Sequence, residues 1–175
     1  MSINLSGLAA AIAERAMRHD SRIGPEMFLD KYRFETAPGL LRQVAAALAR
    51  PTFDEIPQPD LLAGRELGAV PLVTALALET DVPFVLVRRV APAGAPAREV
   101  EGAFEPGQTV ALVEDVLVEG GSALAAVDAL RRAGLRVETA VCVIDQGEGA
   151  AEALEDAGVR LRPLFDRDAI QLQRA

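Results

Sequence analysis

The sequence predicts an α/β fold with a mostly parallel sheet that has helices on both faces. Segments that are apolar throughout, such as residues 84–87 and 110–113, alternate along the chain with segments of helical periodicity. Strands of this kind are buried on both sides, which is typical of parallel sheets flanked by helices. The chain has 175 residues, half of them hydrophobic, so we expect one domain over residues 1–175.

The N-terminal third is predicted to contain two helices. The first covers residues 7–18, with Ser6 as its N-cap, because apolar residues recur there at helical spacing. Residues 27–34 have the pattern of an extended segment. A second helix over residues 38–49 is expected to stop before Pro51, since a proline disfavours helix in the residue before it.

The remaining elements follow in alternation. Short, mostly apolar runs predict strands over residues 61–63, 84–87, 110–113 and 137–144, and a last strand is expected over residues 159–164. Helical patterns between them predict helices over residues 71–79, 123–133 and 149–157, the last two followed by C-capping glycines at 134 and 158. Residues 90–108 are rich in Ala, Gly and Pro without a sustained period, so we expect a mobile loop there.

Composition excludes several classes of function. A net charge of −8 without a basic run argues against binding nucleic acid. The apolar stretch 68–78 is too short to span a bilayer, and the N-terminus lacks the basic start of a signal peptide, so we expect a cytoplasmic protein. Cys142 lies in an apolar run, which indicates a buried thiol, and His19 is expected near a helix end. One His and one Cys exclude a usual zinc site.

Residues 110–122, VALVEDVLVEGGS, are the most informative segment. An apolar strand is followed by Glu114 and Asp115, then by a glycine turn and a helix start. The carboxylates can accept from sugar hydroxyls or hold a hydrated cation, and the backbone N–H groups of 119–122 can cradle a phosphate. The segment therefore predicts a site for a phosphorylated sugar.

Parallel strands bring four polar segments to one edge of the sheet, since ligands of open parallel sheets bind beyond the strands' carboxyl ends. They are the loop GRELGA at 64–69, Arg88 with Arg89, the acidic pair with its glycine turn, and Asp145 with Gln146.

These residues resemble a known family. VALVEDVLVEGGS is similar to the phosphoribosyl pyrophosphate motif of type I phosphoribosyltransferases. Residues 61–89, LLAGRELGAVPLVTALALETDVPFVLVRR, resemble orotate phosphoribosyltransferases in particular. The segments FLDKYRFET, VEG at 100–102 and VIDQGEGA fit the same branch, and the similarity extends over residues 28–164.

The resemblance implies the type I phosphoribosyltransferase fold with a small N-terminal hood-like segment. It also implies transfer of a 5-phosphoribosyl group from phosphoribosyl pyrophosphate to a pyrimidine-type base, with Mg²⁺ and in a homodimer. The implied catalytic residues are Glu114, Asp115 and Arg98, with Asp115 also as the metal ligand. Phosphoribosyl pyrophosphate would contact Glu66, Leu67, Gly68, Ala69, Arg88, Arg89, Val118, Glu119, Gly120, Gly121 and Ser122. Lys31 and Gln146 would lie on the base side.

The chain departs from the family pattern at positions that leave two alternatives open. Pro92 aligns with a catalytic lysine, Val118 with a threonine of the phosphate loop, and Gln146 with an arginine that meets the base carboxylate. Glu119 adds a carboxylate beside the phosphate. The alternatives are a phosphoribosyltransferase for a different base, and a non-catalytic regulatory paralogue that binds phosphoribosyl pyrophosphate or a nucleotide.

Overall fold

A computed structural model of the chain describes residues 3–19, 27–54, 58–89 and 98–171. The helices are α1 Leu5–Ala16, α2 Tyr32–Glu35, α3 Pro38–Asp54, α4 Ala69–Thr80, α5 Gly121–Arg132, α6 Ala150–Asp156 and α7 Arg167–Gln171. The strands are β1 Met17–His19, β2 Met27–Leu29, β3 Leu61–Arg65, β4 Phe84–Val87, β5 Val100–Glu101, β6 Thr109–Leu117, β7 Arg136–Asp145 and β8 Arg160–Asp166.

Six of these strands form one sheet in the order β5-β4-β3-β6-β7-β8. Neighbouring strands are parallel except for β5, which runs antiparallel to β4 at the edge. One face packs against α1, α3 and α4, and the other against α5 and α6, in two separate apolar clusters. The predicted α/β class, with helices on both faces of a mostly parallel sheet, is confirmed.

The small N-terminal segment lies apart from the main sheet. β1 and β2 form a two-stranded antiparallel ribbon in which Met17 pairs with Leu29. The ribbon follows α1 directly, and the Asp30 N–H donates to the Ala16 carbonyl at 2.9 Å. This unit carries the chain from β2 into α2, which lies beside the candidate site.

Several predicted boundaries are wrong in the N-terminal third. The N-cap of α1 is Asn4, whose Oδ1 accepts from Gly7 N–H at 3.0 Å, and Ser6 lies inside the helix. His19 belongs to β1, so it is not at a helix end. The segment 27–34 is extended only to Leu29 and then turns into α2. α3 continues through Pro51 to Asp54, since a proline disfavours helix in the residue before it but does not forbid it.

Differences in the C-terminal two thirds are smaller. Most strands and helices are one to four residues longer than predicted, or shifted by one or two residues. The proposed loop over 90–108 includes β5, and Gly107 N–H donates to the Gly134 carbonyl at 2.8 Å, so its described part is not plain loop. Residues 90–97, including Pro92, lie outside the described residues. Sequence analysis also missed α7, which follows β8.

Two exclusions can be compared with the described part of the chain. No helix in it is long and apolar enough to cross a membrane. The same residues contain no group of three or more His, Cys, Asp or Glu side chains that would form a metal centre by themselves. Cys142 is a buried free cysteine in β7, as its apolar surroundings predicted.

Candidate active site

The acidic pair lies inside β6, near the carboxyl edge of the sheet. β6 was expected to end at residue 113, but Val116 and Leu117 continue its pairing with Ile144 and Asp145 of β7. Glu114 and Asp115 are therefore held in a hydrogen-bonded central strand, with only 6% and 2% of their surfaces exposed. Two carboxylates at this depth require compensating partners.

Lys31 is the main partner of Asp115. Its Nζ lies 2.6 Å from Asp115 Oδ2, and Asp115 Oδ1 accepts the N–H of Val116 at 2.6 Å. Burial would lower the pKa of Lys31, but the hydrogen bond and negative charge of Asp115 raise it above its usual value, so Lys31 stays charged. The structure thus places Lys31, predicted for the base side, directly on the acidic pair.

Gly68 makes room for this ion pair. A Cβ added at Gly68 would overlap Asp115 Oδ2 and lie within 2.7 Å of Lys31 Nζ. Gly68 stands at the start of α4, directly after the turn that follows β3. The structure therefore joins three predicted site residues from distant parts of the chain at one point.

Glu35 is a further member of the cluster, and sequence analysis missed it. It lies one helical turn after Lys31 and is 1% exposed, and no donor among the described residues reaches its carboxyl oxygens. Burial, followed by the charge of Asp115 and a hydrogen bond with it, raises the pKa of Glu35 to about 9. A protonated Glu35 can donate to Asp115 where two ionised carboxylates would repel each other.

Glu114 has a different environment from Asp115. Its Oε1 is buried and has no hydrogen-bond partner in the described structure. Burial and then the charge of Asp115 raise its pKa to about 7, although Arg65 and Lys31 oppose the shift. An acceptor oxygen without a partner is available to a ligand hydroxyl or cation at the strand's carboxyl end.

The glycine turn connects β6 to α5 as predicted, but the helix begins at Gly121 rather than at residue 123. Gly120 has φ +83°, which favours glycine, and a Cβ there would lie 3.1 Å from the Cα of Ala150. Val118, Glu119 and Ser122 are exposed. The first turn of a twelve-residue helix offers unpaired N–H groups and a positive dipole end, so the turn can hold an anion.

The turn after β3 reaches the same edge. Glu66 Oε1 accepts the N–H of Arg89 at 2.9 Å, and Glu66 N–H donates to the Val87 carbonyl at 3.0 Å. The peptide between Glu66 and Leu67 is cis, and Leu67 is 70% exposed, while Ala69 is buried as the first residue of α4. Arg89 thus ties β4 to the turn through its backbone.

The other predicted arginines lie towards the sheet edge. Arg88 Nη1 is 3.3 Å from Glu101 Oε1 in β5. Arg98 lines a cavity of about 470 Å³ between β5 and the C-terminal half of α5, together with Arg132 and Phe104. None of the acidic cluster lines that cavity. The structure therefore associates Arg98 with α5 rather than with Asp115.

Gln146 follows β7, on the other side of the acidic pair from Arg88 and Arg89, which follow β4. Its N–H donates to the Leu117 carbonyl at 2.9 Å, and its side chain lines a cavity of about 170 Å³. Phe28 and Leu29 from β2 line the same cavity. Its volume is enough for a six-membered ring, because an engineered protein cavity of similar size binds benzene.

Comparisons with known proteins agree with this arrangement. A family model described as "Phosphoribosyl transferase domain" matches residues 33–161. Orotate phosphoribosyltransferase of Natronomonas pharaonis is 45% identical over 139 residues, which cover 79% of this chain and 78% of the relative. Orotate phosphoribosyltransferase of Pyrococcus furiosus is 42% identical over 137 residues, covering 78% of this chain and 75% of the relative.

Solved structures show the same fold. The orotate phosphoribosyltransferase of Mycobacterium tuberculosis in complex with inorganic phosphate superimposes with a TM-score of 0.81 at 27% identity, covering 98% of this chain and 92% of that one. A phosphoribosyltransferase from Corynebacterium diphtheriae gives a TM-score of 0.84 at 27% identity, covering 95% and 98%. Together with the acidic pair, the glycine turn and the parallel sheet, these similarities show that the chain belongs to the type I phosphoribosyltransferase family, in its orotate phosphoribosyltransferase branch.

Proposed function

We propose that this protein transfers the 5-phosphoribosyl group of phosphoribosyl pyrophosphate to a ring nitrogen of an orotate-type pyrimidine and releases pyrophosphate. The observation that carries the proposal is the buried Glu114–Asp115 pair, set directly before a glycine turn and a helix N-terminus. The names of the relatives support the reaction, and a neighbouring M. tuberculosis structure contains phosphoribosyl pyrophosphate.

Each part of the edge suits one part of that substrate. Glu114 and Asp115 provide acceptors for the ribose hydroxyls, and Glu114 Oε1 has no competing partner among the described residues. The turn at 118–122 presents backbone N–H groups to the 5-phosphate. The turn at 66–69 supplies backbone groups near the diphosphate, with Arg88 and Arg89 adding positive charge.

Mg²⁺ fits the same site. It needs few protein ligands when a substrate diphosphate supplies the others, and it keeps several of its waters. Glu114 and Asp115 would hold it, directly or through water, and Lys31 already compensates one of their charges. When bound, the ion neutralises charge that develops on the leaving diphosphate.

The transfer itself depends on positioning and electrostatics. A carbon that loses a diphosphate becomes electron-poor, and buried carboxylates below it stabilise that charge more strongly than they would in water. Holding the base and phosphoribosyl pyrophosphate side by side at the ends of β6 and its neighbouring strands converts a bimolecular encounter into an oriented one. The protein is further proposed to be cytoplasmic and to work as a homodimer, an inference from its family alone. Light scattering of the purified protein tests the dimer.

Calorimetric titration of phosphoribosyl pyrophosphate with Mg²⁺ tests the pocket. The parent protein is expected to bind it, and Glu114→Gln with Asp115→Asn to lose most of the affinity. Pyrophosphate release with orotate, uracil and adenine then tests the reaction. Binding without turnover of any base would favour the non-catalytic alternative, and turnover of adenine alone would favour a different base. No binding at all would refute the proposal.

A further inference from the structure

The cavity beside Gln146 is lined by both apolar and polar side chains. The apolar side chains are Met17, Phe28, Leu29, Ile144 and Ile170, and the polar ones are Gln146, Arg167 and Gln171. Arg167 is the one charged residue among the described residues that line it. A flat, partly polar ring suits such a cavity, with its polar substituents towards Gln146 and Arg167.

Two connections place this cavity next to the acidic pair. On the sheet, Ile144 pairs with Val116, and Gln146 N–H donates to the Leu117 carbonyl, so the cavity borders the residues that follow Asp115. On the N-terminal segment, Leu29 is two residues before Lys31, whose Nζ contacts Asp115. A ring in the cavity therefore lies beside a ribose held by the acidic pair.

Arg167 is held in place by the fold. It is the first residue of α7, which is capped by Asp166, whose Oδ1 accepts from Ala169 N–H at 2.7 Å. Ile170, one turn later, is 3% exposed in the apolar core. The backbone of Arg167 is thus fixed at the cavity, and only its side chain is free to adjust.

The ion pair of Arg167 with Glu148 is weak. Its Nη1 lies 3.3 Å from Glu148 Oε1, and both side chains are about half exposed, at 49% and 48%. Pairs this exposed contribute little, because solvent screens them. A planar carboxylate that pairs with the guanidinium in a bidentate manner makes a stronger, more specific contact. A ligand carboxylate can therefore replace Glu148.

We propose that Arg167 is the specificity-determining residue for the base, binding an anionic ring substituent such as the carboxylate of an orotate-type pyrimidine, while Gln146 binds a neutral ring edge. This assignment rests on the proposed function, because it places the ring where that reaction needs it. It also supplies a positive charge to a base pocket in which Gln146 stands where the family pattern has an arginine.

The test compares two product nucleotides that differ in one carboxylate, orotidine 5′-monophosphate and uridine 5′-monophosphate. Calorimetry measures both affinities, and turnover is not required. The parent protein is expected to bind the carboxylated nucleotide about 10- to 100-fold more tightly, the range of a charge-assisted hydrogen bond. Arg167→Gln removes that preference and leaves uridine monophosphate affinity unchanged. Arg160→Gln, at the exposed opposite end of β8, controls for loss of one positive charge.

A second variant tests the exchange of partners. Glu148→Gln releases Arg167 from its carboxylate and is expected to raise the preference for the carboxylated nucleotide several-fold. The proposal is refuted if the parent shows no preference, or if Arg167→Gln and Arg160→Gln change the preference equally. If the parent protein binds neither nucleotide nor phosphoribosyl pyrophosphate, the proposed function itself fails. A normal melting temperature of Arg167→Gln shows that a loss of preference in this variant does not come from misfolding.

Discussion

Replacing Lys31 and Asp115 singly and together measures how far their ion pair stabilises the fold. Lys31→Met and Asp115→Asn each remove a charge while keeping most of the side-chain volume. The two charged atoms are 2.6 Å apart, and the Asp115 side chain is 2% exposed against 33% for Lys31. At an effective dielectric constant of about 20, such charges attract by about 6 kcal/mol, and loss of water from the buried carboxylate cancels much of that.

We expect a coupling free energy of about 2–3 kcal/mol in this double-mutant cycle. Lys31→Met should be the more destabilised single variant, because Asp115 then stays buried beside Glu35 and Glu114 without a cation. In Asp115→Asn, by contrast, the partly exposed Lys31 can turn towards water. Urea unfolding followed by circular dichroism at pH 7.5 in EDTA gives the four free energies of unfolding.

A second ion pair provides the control. Arg132 and Glu99 form two hydrogen bonds of 2.9 and 3.0 Å, but their side chains are 58% and 47% exposed. The cycle of Arg132→Met and Glu99→Gln should give a clearly smaller coupling, because water and salt screen an exposed pair. If the Lys31–Asp115 coupling is no larger than this control, burial does not strengthen the pair and the reasoning is refuted.

Three further changes test other parts of the site. Gly68→Ala should lower the free energy of unfolding by about 1–3 kcal/mol, because its Cβ overlaps the Lys31–Asp115 pair. Gly39→Ala, with nothing within 4 Å of the added Cβ, should leave the melting temperature unchanged or slightly raised. Val118→Thr should raise phosphoribosyl pyrophosphate affinity by about 2- to 10-fold through an added hydroxyl. Because Val118 is 43% exposed, the melting temperature of Val118→Thr should equal that of the parent. An unchanged affinity for phosphoribosyl pyrophosphate would contradict a phosphate site at this turn. Glu35→Gln tests the raised pKa of about 9: between the usual 4.5 and 9 the folded parent holds a proton that the unfolded chain lacks. Rising pH therefore destabilises the parent relative to Glu35→Gln, by up to about 1.4 kcal/mol per pH unit, and a pH-independent difference in urea unfolding would contradict this.

The parallel sheet was predictable because its strands are buried on both faces. Residues 140–144 and 84–87 are apolar for that reason, and the order of strands and helices then brings their carboxyl ends to one edge. The acidic pair and the glycine turn were recognisable for the same reason, since they follow the apolar part of β6 without a break.

The contacts that complete the site were not predictable from local pattern. α2 has only four residues, too few for a helical period, so the spacing of Lys31 and Glu35 went unrecognised. Their partner Asp115 is distant in sequence, and the ion pair depends on the packing of α2 against the sheet. α7 did leave a local signal, since Asp166 is a good N-cap three residues before Ala169.

Charge balance is what would allow a carboxylate-rich site in a protein of net charge −8 to accept the anionic sugar diphosphate of the proposed function. Glu35, Glu114 and Asp115 would together place three negative charges beside it. The raised pKa of Glu35 keeps that carboxyl neutral at pH 7, and Lys31 compensates Asp115. The proposed ligand would then face at most the charge of one carboxylate, Glu114, whose own pKa is raised to about 7, beside the positive end of α5. In the proposed function, Lys31 and the protonated Glu35 would thus let the two strand carboxylates lie beside the sugar without repelling its phosphates.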